Sequence, residues 1–189
     1  MGVKASVVVF GDLKTALRNG GEPDKAAAEA VIRAVRPGCA VEAAEDSDLA
    51  DDIYPADGFA YVAVLPEATI VCDREIDVDA VLEFAAGRPV VVFQQHSGDG
   101  SFGFTEWSAD GAEVRSEDDY EAADAIAREV FGFTAETVSS DLVVHGFRIT
   151  RPDQAERDAA MAAAVAAMVA QGPTRMRMAP DGSLVPIED

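Results

Sequence analysis

Residues 89–107 read PVVVFQQHSGDGSFGFTEW. Proline opens a β-branched run, SGDG at 97–100 supplies turn residues, and FGFTEW resumes a strand-like pattern, so the stretch reads as two antiparallel strands joined by a short turn. A second turn at ADG (109–111) leads into AEVRS (112–116), completing a three-stranded meander. The letters GDGSFG at 98–103 also fit G-x-G-x-x-G. A dinucleotide turn needs a helix directly behind the glycines, and here a strand follows. A kinase-type loop lies between strands but needs a lysine on a later strand and magnesium-binding carboxylates in H-R-D and D-F-G motifs. The last lysine is Lys25 and neither motif occurs. The glycines are therefore read as turn residues that supply positive φ, and no cofactor is expected.

Working outward, VKASVVVF (3–10) reads as a buried strand, 23–35 as an alanine-rich helix with Pro23 in its first turn, and 39–45 as a second strand. This opening β-α-β unit is read with parallel strands. Residues 59–65 and 69–72 form a hairpin around LPEA (65–68), and 78–86 form a helix closed by Gly87. Ser116 opens a helix running to Phe131, with SEDD (116–119) as a capping box. LVVHGFRI (142–149) is read as an edge strand or an extended segment, and Pro152 starts a last helix. The expected fold is α+β or mixed α/β. It has one twisted mixed sheet with helices packed on it, forming a domain over 1–151, plus a C-terminal helix and tail over 152–189.

The chain has 189 residues, 49% hydrophobic, with 35 acidic against 15 basic side chains and a net charge of −20. That supports a globular core, and its field repels nucleic acid and anionic membranes. The longest mostly apolar run, 159–170, falls short of the roughly 20 residues that cross a bilayer. MGVKASVVVFGD lacks a signal-type apolar region; Ser6 matches myristoylation spacing, yet the segment reads as a buried strand. Cys39 and Cys72 fall in separate strands without a C-x-x-C pair, which suits reduced thiols and a cytoplasmic location.

Catalytic chemistry that uses histidine has only His96 and His145 to draw on. Ser97 is adjacent to His96, but neighbours on a strand point to opposite faces, so His96 is poorly placed to activate it. A hydrolase-like reading joins His96 or His145 to a carboxylate such as Glu106. Asp46, Asp48, Asp51 and Asp52 lack the glycine and terminal glutamate of an EF-hand loop, so no metal is expected there. They read instead as charge offered to a basic protein partner. Asp73, Glu75, Asp77 and Asp79, with Arg74 among them, read as a solvated approach to a helix. Met161, Val165 and Met168 form a narrow apolar stripe on the last helix, suited to docking on the parent domain or to a homo-oligomer contact. The favoured function is a non-enzymatic acidic protein-binding module, regulatory or neutralising toward a basic partner. The hydrolase-like enzyme and the homo-oligomeric structural protein are the alternatives.

The stretches MGVK (1–4), YPADGFAYVAVLP (54–66), IVCDRE (70–75), HS (96–97) with Trp107 and Gly111, VRS (114–116), VFGF (130–133) and HGFRI (145–149) come in an order that resembles an uncharacterised actinobacterial domain-of-unknown-function family over 1–149. Where that family has V-V-D-W after His-Ser, this chain has GDGS (98–101), and the segment behind VRS is shortened. The resemblance implies a cytoplasmic actinobacterial protein and assigns no activity.

Overall fold

The computed structural model describes residues 4–85, 87–96, 101–133, 142–153, 176–178 and 184–186. The chain forms two compact units, Met1–Thr150 and Arg151–Asp189. The first contains, in order, β1 (Lys4–Gly11), α1 (Leu13–Asn19), α2 (Lys25–Val35), β2 (Ala40–Ala43), β3 (Ser47–Asp48), α3 (Leu49–Asp52), β4 (Phe59–Val64), β5 (Ala68–Asp73), α4 (Val78–Ala85), β6 (Val90–His96), β7 (Ser101–Trp107), β8 (Glu113–Glu117), α5 (Tyr120–Phe131) and β9 (Val143–Thr150). In the second, β10 (Met176–Met178) pairs antiparallel with β11 (Leu184–Pro186).

The fold is α+β. Nine strands make one sheet in the order β2-β9-β4-β5-β1-β6-β7-β8, with β3 also on β9. Every pairing described is antiparallel. β1 and β2 consequently run in the same direction, as read from the sequence, but three strands separate them. The expected meander is present, from Val90↔Trp107 to His96↔Ser101 and on to Phe104↔Glu117. The β4–β5 hairpin also forms, closed by Leu65 N–H on Ala68 O at 2.8 Å.

Helices cover both faces of the sheet, which explains why the central strands are apolar without alternation. Val7, Val9, Ile70, Cys72, Val91 and Phe93 pack with α1, α3 and α5 on one face. Val8, Phe10, Val62, Val71, Val92 and Phe147 pack with α2 and α4 on the other. Phe10, Phe104, Phe131 and Phe147 are essentially solvent-free, each contributing about 1.5–3 kcal/mol relative to exposure. Burial of Cys72 pushes its thiol well above the ordinary cysteine range, which suppresses thiolate chemistry there. Among the described residues no helix is long and apolar enough to cross a membrane.

Three expectations change. α1 is additional: Asp12 caps it by accepting from Thr15 N–H at 2.9 Å and Thr15 Oγ1 at 2.7 Å, an N-cap that the brevity of LKTALRN conceals. Ser116 does not open α5. It stays in β8 opposite Thr105, and the cap is Asp119, which accepts from Ala122 N–H at 3.1 Å. β9 is an interior strand rather than an edge, since β2 and β3 shield one side of it and β4 the other.

Candidate functional site

The acidic window belongs to a kinked edge strand. β2 ends on β9 at Ala43↔Phe147, Ala44 N–H donates to Gly146 O at 2.8 Å, and β3 resumes at Ser47↔Val144. Glu45 and Asp46 thus stand together opposite His145, a β-bulge. The bulge brings Glu45 so close to β9 that a Cβ on Gly146 would lie 2.1 Å from the Glu45 carbonyl oxygen. It also aims the Asp46 carboxylate at Lys25 Nζ (2.9 Å), His145 Nδ1 (3.2 Å) and Gly146 N–H (3.4 Å). The His145 Nδ1 contact is a close approach without hydrogen-bond alignment. On the other side of the ring, Nε2 lies 3.2 Å from Pro23 O, just ahead of α2. His145 is buried, and both ring nitrogens face internal acceptors. Chemically this is a clip that ties β9, the bulge and the approach to α2 together.

Burial is the largest influence on Asp46 and pushes its carboxyl up, but Lys25, His145 and the Gly146 N–H together outweigh it and hold it below the ordinary range. The folded chain therefore binds this proton more weakly than the unfolded chain does. Its stabilising contribution is complete above about pH 4 and is lost as pH falls through the depressed folded value. Asp46→Asn should flatten the fall in unfolding free energy between pH 6 and pH 3, measured by urea titration. Parallel curves for variant and wild type would show that the carboxylate contributes nothing to acid sensitivity.

The other acids of the window separate. Asp48 caps α3, accepting from Asp51 N–H at 3.0 Å. Asp52 faces Tyr61, whose phenol is raised above its ordinary range first by burial and then by the Asp52 charge. Asp51 and Glu45 are exposed. Glu42, also exposed, stands across from Arg148 in the β2–β9 register. Glu45 and Asp51 are therefore the carboxylates chiefly presented outward, while Asp46, also exposed, is engaged by Lys25 and His145, Asp48 caps α3 and Asp52 is half-buried.

His96 and His145 do not converge. The row of His145 passes through Val62, Val71 and Val8 to Val92 on β6, four residues short of His96 and about 19 Å away across the strands at ordinary spacing. Glu106 meets neither histidine. It pairs in register with Val91 on one side and Arg115 on the other, and Arg115 Nη2 holds its carboxylate at 2.8 Å. Direct cross-strand opposition on β7 and β8 decides this partner. Asp73 departs from the solvated reading, being 4% exposed and 3.1 Å from Arg36 Nε. Ser97, Met161, Val165 and Met168 lie outside the described residues. Among the described residues no three His, Cys, Asp or Glu side chains gather to hold a metal ion.

His96 instead lines a cleft of about 320 Å³ with Ala5, Ser6, Tyr54, Arg74, Gln94 and Gln95. Sequence reading placed Arg74 only in a solvated approach to a helix and gave no site role to Tyr54 or Gln95. The available signal was the Gln94–Gln95 pair, two amides at the end of the apolar run PVVVF.

Residues 5–118 match the model of a family described as "Family of unknown function (DUF6928)". The match takes in the bulged edge and the cleft but stops before β9 and His145. No curated protein and no solved structure matches the chain.

Proposed function

The chain belongs to that family, and on the geometry above we propose that it is a non-enzymatic cytoplasmic binding module that takes a basic protein partner on the bulged acidic edge. The observation that carries this reading is how the cations are engaged. Lys25 faces Asp46, Arg33 faces Glu29, Arg36 faces Asp73 and Glu75, Arg74 faces Asp57, Arg115 faces Glu106, and Arg128 faces Asp124. Six of the fifteen basic groups are thus held by the protein's own carboxylates, and the whole chain still carries a net charge of −20 for a cationic partner to meet. At the bulge, Lys25 is held by Asp46, leaving Glu45 and Asp51 outward. Such a field steers a cationic partner and speeds encounter more than it tightens the final complex.

The hydrolase-like alternative draws on the Asp46–His145 contact, but a base needs a ring nitrogen open to substrate, and Nε2 is held against Pro23 O. That arrangement favours the clip. The direct experiment is a pull-down with the full chain at low ionic strength. It should recover a basic protein that is released by about 0.5 M salt, where screening shortens to a few ångströms. Recovery of no basic partner at any low salt concentration overturns the proposal.

A further inference from the structure

A second cleft, of about 220 Å³, lies between the end of α4, the loop behind it and the β7–β8 turn. Trp107 pairs with Val90 as the last rung between β6 and β7, so the turn at Ser108–Gly111 stands beside the loop that carries Arg88. The Arg88 guanidinium lies 5.3 Å from the centre of the Phe10 ring and 5.1 Å from that of Phe84. Both rings, with Leu82, Ala85 and Val90 of the cleft wall, belong to the apolar cluster under α2 and α4. Arg88 and that wall therefore share one face of the sheet.

Arg88 brings a positive charge to this cleft. Of the two half-buried arginines among the described residues, Arg115 is held by Glu106, whereas no carboxylate among those residues pairs with Arg88. Its Nε donates to Ala85 O at 3.3 Å, and its two Nη groups have no acceptor among the described residues. The ring faces favour the charge and leave N–H donors that match the two oxygens of a carboxylate. Asp110 limits how much negative charge can enter. It lines the same cleft, and the Ser108 hydroxyl, then the backbone N–H groups of Ala112 and of Asp110 itself, hold its carboxyl below the ordinary range. An ionised Asp110 in a chain of net charge −20 penalises each further negative charge, so a monoanion is preferred to phosphate.

From these observations we infer that the cleft binds a short-chain aliphatic monocarboxylate, its carboxylate on the Arg88 guanidinium and its chain against Leu82. Leu82 and Arg88 are both half-buried, so each presents surface to the cleft. A volume of about 220 Å³ is below the usual range of drug-sized ligand sites and suits a molecule of a few carbons. The inference is independent of the basic-partner reading, because its test uses small probes and no protein.

Butyrate, acetate and inorganic phosphate are titrated separately into the full chain at constant ionic strength, followed by amide chemical shifts. Butyrate should give saturable shifts at Leu82, Arg88 and Gly111. Acetate, two methylenes shorter, should bind about fivefold more weakly, and phosphate should also bind more weakly than butyrate. Arg88→Met, whose side chain can still cover the Phe10 and Phe84 rings, should abolish butyrate binding. Asp110→Asn, on an exposed turn, should tighten it about twofold by removing a like charge. Absence of saturation up to about 100 mM butyrate overturns the inference, as do butyrate shifts that persist in Arg88→Met, acetate or phosphate binding as tightly as butyrate, or an Asp110→Asn variant that binds butyrate no better than the wild type.

Discussion

Gly146→Ala should lower the unfolding free energy by about 3 kcal/mol, at the upper end of what overpacking usually costs. The added methyl would lie 2.1 Å from the Glu45 carbonyl oxygen and 3.1 Å from Tyr61 Cε1. The first of these is backbone and has no rotamer through which to retreat. Relief requires the bulge to withdraw from β9, which breaks the Ala44–Gly146 hydrogen bond and loosens Asp46 from Lys25 and His145. Gly103→Ala is the control, because nothing lies within 4 Å of a Cβ built there, and it should be neutral within about 0.5 kcal/mol. Urea unfolding of both variants measures the contrast, and equal stabilities would remove the close approach as a feature of the fold.

Arg36→Met should cost about 4 kcal/mol, a large share of the stability of any domain this size. Arg36 follows the last turn of α2 and is buried, like the Asp73 carboxylate that it faces. It also reaches Glu75 through the Glu75 backbone carbonyl and through Oε2 at 2.8 Å. Removing the guanidinium leaves Asp73 charged and buried with its principal counterion gone, and that cost exceeds the net worth of the pair. Arg36→Met combined with Asp73→Asn should recover more than half of the loss, because the amide oxygen can still accept the Glu75 N–H that Asp73 now holds at 2.9 Å. A double-mutant cycle gives the coupling directly. Strictly additive losses would mean that the two groups do not act as a pair.

What was legible in the sequence was local. VVVF, TIVC and PVVVF announced strands through β-branched runs, and the short turns at 65–68 and 109–111 announced antiparallel neighbours. Which strand lies beside which was not legible, because β9 reaches its place between β2 and β4 through contacts far apart in the chain. Capping was legible in kind but not in place: SEDD was read as a capping box opened by Ser116, whereas the cross-strand Thr105–Ser116 pairing holds Ser116 in β8 and Asp119 is the cap. The acids at 46–52 were visible as charge, yet burial, capping and a bulge divide them into structural and outward-facing groups, and none of these follows from composition. The cleft was hidden because Ser6, Tyr54, Arg74 and Gln95 come from four separate segments. The Asp46–His145 contact was hidden for the same reason, lying across 99 positions that only the β2–β9 register brings together.

The central claim is that a basic partner recognises the bulged edge rather than net charge alone. Its most direct test is the affinity for the basic protein recovered at low salt, compared between Glu45→Gln/Asp51→Asn and a control with the same charge change, Glu83→Gln/Asp118→Asn, whose carboxylates are exposed elsewhere. The edge variant should bind about fivefold more weakly than the control, the sum of two modest exposed charge contacts. Equal affinities of the two variants would contradict the account.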